Sequence, residues 1–157
     1  MVGLISDTHG LLRSEALASL QGSDLIIHAG DVGDAEILNR LGAIAPVVAV
    51  RGNIDKERWA SQLQMTAVVE AGSAVIYVLH DIHDLDLDPA VAQFDIVVSG
   101  HSHKPSKSLR SGVLYVNPGS AGPRRFKLPV SVARLNLSQQ PWTVDFIDLL
   151  SLDAASE

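Results

Sequence analysis

The chain is 157 residues long, 46% hydrophobic and 19% charged, with a formal net charge of −6 and no cysteine. That length suits one domain, 1–157, with a substantial core. The acidic balance argues against a nucleic-acid partner, leaving only a small basic patch at Arg124, Arg125 and Lys127. Without cysteine there is no disulfide or thiolate site, so any metal must be held by His, Asp, Glu or Asn.

No apolar run approaches the roughly 18 residues of a membrane span. The N-terminus lacks a basic segment followed by an apolar one, so no signal peptide is read and a cytoplasmic location is expected.

In chain order, Val2-Gly3-Leu4-Ile5 reads as a buried strand running into Ser6-Asp7-Thr8-His9-Gly10. In an extended backbone residues i and i+2 share a face, which predicts that Asp7 and His9 point the same way. Residues 13–20 have helical spacing at Leu17 and Leu20, with Ser14 as the cap. A second apolar strand follows at 24–30. Asp34 then caps a helix whose Ile37, Leu38 and Leu41 share a face. "PVVAV" is a third strand, and "KERWASQL" a short helix after it. This βαβαβ order predicts a parallel sheet with crossover helices. After about residue 66 the pattern changes: "AVIYVL", "DIVVSG", "VLYVN", "VSVARLNL" and "WTVDFIDL" are closely spaced strands. They predict a second, more antiparallel sheet packed on the first. The last residues, 151–157, read as a frayed tail.

The polar residues fall at the strand ends. The first strand ends in Asp7 and His9, the second in Asp31, the third in Asn53, "AVIYVL" in His80, and "DIVVSG" in His101 and His103. Ligands of open α/β sheets gather outside the carboxyl ends of strands. Seven metal-competent groups are too many for one ion, which takes about four to six, so two metals sharing a carboxylate are expected. Asp31, alone on a central strand, is the natural bridge.

Other residues carry two readings each. His28 is a hydrogen-bonded core histidine or steadies a ligand from behind. Asp55 caps the helix beginning at Lys56 or supports Asn53. His83, in the acidic run with Asp81, Asp84, Asp86 and Asp88, belongs to a solvated loop or donates a proton over the site. Asn117, in "NPGS", belongs to a turn. Arg124 and Arg125 face solvent or contact a substrate phosphate. Trp59 and Trp142 are read as packing or surface residues.

With Asp7-x-His9, Gly30-Asp31, Gly52-Asn53, His80 and Gly100-His101-Ser102-His103 in place, the sequence resembles the calcineurin-like metallophosphoesterase superfamily. It looks closest to the small single-domain phosphodiesterase branch, and the match runs from Ile5 through "NPGS" at 117–120. The resemblance implies an α/β fold, a four-layer α/β/β/α sandwich with two packed mixed β-sheets and helices outside, built around a dinuclear centre. It implies that Asp7, His9, Asp31 and His103 hold one metal, that Asp31, Asn53, His80 and His101 hold the other, and that Asn117 and its loop support them.

Two departures stand out. Many members carry a His directly after the Asn, where it helps the leaving group depart; here that residue is Ile54. The branch often has Gly then His after the histidine at 80; here Asp81 follows, and the next His, His83, comes one residue late.

The expected function is hydrolysis of a small phosphodiester, with some monoesters, by a hydroxide shared between two divalent cations. Asp31 and Asn53 are the catalytic residues of that reading, Asn53 also donating its amide to the phosphate. Mn²⁺ suits the mixed N/O ligand set, with Fe, Ni and Zn as alternatives. No membrane partner is expected, and a homo-oligomer is left open. Two rivals remain: a non-catalytic protein-interaction scaffold, as a retromer subunit of this fold is, and a metal-dependent nuclease. A scaffold has no reason to retain all seven groups. A nuclease fits poorly with the acidic charge and small size.

Overall fold

The opening strand is apolar on both faces because it is buried on both. In β1 (Val2–Ile5), Val2 and Leu4 join the layer between two sheets while Ile5 joins the layer beneath the helices. The structure, a computed structural model, describes residues 1–151. The expected tail lies outside the described residues except for Ser151. The chain continues through α1 (Ser14–Ser19), β2 (Leu25–His28), α2 (Ala35–Gly42), β3 (Val47–Ala49) and a 3₁₀ helix at Arg58–Gln62. Then come β4 (Thr66–Ala71), β5 (Ala74–Leu79), β6 (Ile96–Val98), β7 (Ser106–Arg110), β8 (Val113–Asn117), β9 (Ser131–Asn136) and β10 (Thr143–Asp148).

Two five-stranded sheets form, in the orders β10-β9-β1-β2-β3 and β4-β5-β6-β8-β7. Each carries two parallel and two antiparallel pairings. Both are therefore mixed, and the second is no more antiparallel than the first. The last two strands return to the first sheet rather than extending the second, with Val2, Gly3 and Leu4 pairing to Leu135, Arg134 and Ala133.

Between the sheets, Leu4, Ile27, Ile76, Val78, Ile96 and Val98 are fully buried. Each such aliphatic side chain contributes about 1.5–3 kcal/mol. On the outer face of the first sheet, Leu20, Ile37 and Leu41 of the helical segments pack on Ile5, Ile26 and Val132. The outer face of the second sheet is covered thinly. Tyr77, Leu79, Val97 and Val113 meet Ile82, Leu85, Leu87 and Phe94, from a segment containing only a three-residue 3₁₀ turn at Ile82–Asp84.

Asp34 caps α2 by accepting the Glu36 N–H at 2.9 Å. Ser14 does not cap α1: Arg13 occupies the cap position with no side-chain bond. No helix among the described residues is long and apolar enough to cross a membrane.

Candidate metal centre

The strand-end residues converge, though not by sharing a strand face. β1 stops at Ile5, and Asp7 and His9 lie beyond it with φ of 55° and 47°. Asp31, His101 and His103 are also left-handed, at 55°, 71° and 61°. Left-handed backbone costs a non-glycine residue about 1–2 kcal/mol. Cross-turn bonds hold it in place: Asp7 N–H to the Gly30 carbonyl at 3.0 Å, His9 N–H to Asp31 at 3.0 Å, and Gly10 N–H to Val32 at 2.9 Å. The motif glycines let these turns touch. A Cβ at Gly52 would overlap the Asp31 amide and carboxylate, and one at Gly100 would overlap Ser6.

Four residues lace the turns from behind. The Asp55 carboxylate accepts the backbone N–H groups of Val32 (3.1 Å), Gly33 (3.0 Å) and Gly52 (2.9 Å), tying the Asp31 turn to the Asn53 turn. It caps no helix; the 3₁₀ helix begins at Arg58, with Glu57 before it. Asn117 donates to the Gly100 carbonyl at 2.9 Å and to Ser102 Oγ at 3.0 Å, fixing the turn that carries His101 and His103. Thr8 Oγ1 donates to the Val32 carbonyl at 2.7 Å, so it accepts from His28 Nε2 at 3.0 Å, while His28 Nδ1 accepts the Gly30 N–H at 3.2 Å. His28 is thus a core histidine and a brace at once.

That arrangement suits only a neutral His28, since a second ring proton would meet the Gly30 N–H. Full burial holds its pKa down to about 4 from an ordinary 6.5. The unfolded chain therefore binds this proton first. The stability His28 contributes is present above pH 6.5 and is lost as the pH falls toward 4, a change of about 3 kcal/mol. Denaturant titrations of the metal-free protein should show this loss, and His28→Gln should flatten it. The same pH dependence in both proteins would refute the assignment.

Two groups of ligand atoms result, Asp7 with His9 and His103, and Asp31 with His80 and His101; within each group the ligand atoms lie inside 4.8 Å of one another. Asp7 Oδ1 stands 3.4 Å from His103 Nε2 and 3.8 Å from His9 Nε2. Asp31 Oδ2 stands 3.3 Å from His80 Nε2 and 3.6 Å from His9 Nε2, so its carboxylate faces both groups. Asn53 is exposed at the rim, its Nδ2 3.4 Å from His101 Nδ1.

In Asp7 and His80 the second side-chain atom is already employed, whereas the second ring nitrogen of His103, Nδ1, is buried without a partner. Asp7 Oδ2 accepts from Ser6 Oγ (2.6 Å) and the His101 N–H (3.1 Å), and His80 Nδ1 donates to the Ala29 carbonyl (2.7 Å). Asp7 Oδ1 and His80 Nε2 are buried with no hydrogen-bond partner. His9 and His103 turn their Nε2 atoms toward each other at 3.4 Å. Oriented lone pairs converging without donors are what a cation requires, so these residues fit divalent metal.

The charges agree. Burial pushes the Asp31 carboxyl up, but the nearby His80, the Ile54 N–H and the charge of His9 hold it down to about 2. Burial pushes the His80 imidazole down, but Asp31, the Ala29 carbonyl and Asp7 lift it to about 9. Without a cation the site keeps a proton that a cation would displace.

Elsewhere, the His83 side chain is 87% exposed and bonds Asp81 Oδ1 at 2.9 Å, while Asp81 Oδ2 lies 3.6 Å from His101 Nε2. Arg124 and Arg125 are both exposed. Trp59 and Trp142 each pack on a core layer. Arg51 was overlooked in the sequence. It lines a cavity of about 330 Å³ with Asn53 and His80, and among the described residues its guanidinium donates only to the Met65 sulfur at 3.4 Å. Its signal was its place two residues before Asn53.

The sequence profile of the calcineurin-like phosphoesterase superfamily domain matches residues 1–140. A probable metallophosphoesterase of Bacillus subtilis, YsnB, is 32% identical over 156 residues, covering 92% of this chain and 89% of the relative. The Escherichia coli phosphodiesterase YfcE is 28% identical over 155 residues, covering 83% and 84%. Among solved structures, Chaetomium thermophilum Vps29 superposes with a TM-score of 0.75 at 18% identity, covering 93% and 94%, which establishes likeness of fold.

Proposed function

This chain belongs to the calcineurin-like phosphoesterase superfamily, and from that premise we propose that it hydrolyses small phosphodiesters at a site holding two divalent cations. Asp7, His9, Asp31 and His103 would hold one cation, and Asp31, Asn53, His80 and His101 the other. When bound, such cations supply Lewis-acid charge to the phosphoryl oxygens and lower the pKa of water. The chain's own part is orientation. Ser6 and the His101 N–H turn Asp7, the Ala29 carbonyl turns His80, and the Ile54 N–H turns Asp31 through its Oδ1 at 3.1 Å. The exposed Asn53 amide is free to donate to a phosphoryl oxygen. The observation carrying this reading is the convergence of the unpartnered Asp7 Oδ1 and His80 Nε2 with four further ligand residues, His9, Asp31, His101 and His103. Preference for diesters over monoesters rests on the likeness to the E. coli phosphodiesterase.

Chelation should remove activity, and reconstitution should restore it better with Mn²⁺ than with Mg²⁺. Mg²⁺ prefers an all-oxygen octahedron and keeps its waters, whereas four imidazoles suit softer ions. Turnover and bound metal, measured across a metal series, decide this. Mg²⁺ as the best activator would contradict the ligand assignment. A protein fully loaded yet inert toward diesters and monoesters would favour the scaffold reading, in keeping with the fold shared with Vps29.

A further inference from the structure

Residues 123–128 form a loop rooted in the metal centre. Just before it, the Ala121 N–H donates to the Ser6 carbonyl at 3.0 Å, Ser120 Oγ to the Asp7 carbonyl at 3.0 Å, and Arg13 to the Gly122 carbonyl at 3.3 Å. Gly122 lies so close that a Cβ there would overlap the Asp7 and Thr8 carbonyls. The loop therefore leaves the turn that carries Asp7 and His9. It also closes on itself: the Leu128 N–H donates to the Arg125 carbonyl at 3.2 Å, and Arg124 Nε donates to the Leu128 carbonyl at 3.3 Å.

At the tip stands Phe126, 94% exposed and with φ of 53°. An aromatic residue in left-handed backbone is strained, and this ring buries almost nothing in return. Its neighbours are Arg124, Arg125 and Lys127, in a chain of net charge −6. The Arg124 side chain is used within the loop, whereas the Arg125 guanidinium makes no hydrogen bond or ion pair with any described residue. A strained, solvent-facing ring beside a free guanidinium, both anchored to a turn of metal ligands, matches an anion that carries an aromatic group.

We propose that residues 123–128 are a substrate arm selecting phosphodiesters with an aryl or nucleobase substituent, Phe126 stacking on that substituent and Arg125 donating to a non-bridging phosphoryl oxygen. The inference rests on the phosphodiesterase reading. Stacking tolerates any flat ring, so it defines a class rather than one compound.

Two substrates sharing one leaving group separate the roles: bis(4-nitrophenyl) phosphate and methyl 4-nitrophenyl phosphate differ only in the group that stays behind. The Mn²⁺-loaded wild type is expected to prefer the aryl substrate in kcat/KM. In Phe126→Ala that preference should fall about tenfold, through KM, while Phe126→Trp should keep it. Arg125→Met should raise KM for both substrates alike, with Arg125→Lys recovering part. A preference unchanged in Phe126→Ala overturns the arm. If the loaded wild type hydrolyses neither diester, the phosphodiesterase reading fails and binding decides the arm. Calorimetry with thymidine monophosphate should then show affinity weakened about tenfold by Phe126→Ala, and equal affinity overturns it. Phe126-dependent sedimentation with phosphatidylserine vesicles, with an unchanged substrate preference, would assign the loop to membranes and overturn the proposal.

Discussion

Asp31→Asn is expected to lower turnover by roughly 10³-fold or more and to empty both halves of the site. Its carboxylate faces both ligand groups at short range, with Oδ2 3.3 Å from His80 Nε2 and 3.6 Å from His9 Nε2, whereas Asp7 Oδ1 comes only within 4.0 Å of His80 Nε2. Asparagine keeps the shape and an oxygen able to accept the Ile54 N–H, so the turn should survive. What it loses is the negative charge that opposes two dications. Lewis-acid stabilisation of phosphoryl charge is worth several kcal/mol, and each 1.36 kcal/mol is tenfold in rate. His103→Ala should behave differently. His103 belongs with Asp7 and His9, so its loss should empty mainly one site. Elemental analysis of wild type and both variants reads this directly, with thermal melts checking that each folds. Equal metal content in wild type and Asp31→Asn would sink the bridging role.

The sequence showed where the chemistry gathers but not how the backbone gets it there. Apolar runs ending in Gly-Asp, Gly-Asn and Gly-His marked the ends of adjacent strands, because parallel strands all finish at one edge. Strand periodicity explained Asp7 and His9 wrongly, since both residues are left-handed and held by hydrogen bonds to the turn after β2. Nothing local announces such bonds. For the same reason Asp55, whose partners include Val32 and Gly33, read first as a helix cap and only second as support for the Asn53 turn, which it also ties through the Gly52 N–H. β7 escaped notice because every residue in it is exposed, so it has no apolar alternation. Sheet membership was equally hidden. β8 and β9 both read as apolar strands, and only the long return to β1 decides which sheet β9 joins.

Hydrolysis rates should depend steeply on the acidity of the leaving group, with aryl esters reacting well and simple alkyl esters poorly. Ile54, beside Asn53, is 45% exposed and has no proton to give. An alkoxide leaving without a proton loses general-acid help typically worth about 10²- to 10⁴-fold. His83 is the alternative donor, lining a small cavity with Asp81, His101 and Asn117. Its geometry argues against the role. The ring is 87% exposed, its Nδ1 is bound to Asp81 at 2.9 Å, and Asp81 also faces His101, at 3.6 Å. His83→Ala should therefore leave the slope nearly unchanged. Ile54→His should make it shallower, helping alkyl substrates most. The measurement is a set of diesters graded by leaving-group pKa, run on the Mn²⁺-loaded wild type and both variants. A shallow wild-type slope that steepens in His83→Ala would make His83 the proton donor after all. A slope that stays flat in both would mean that neither position governs the departing oxygen.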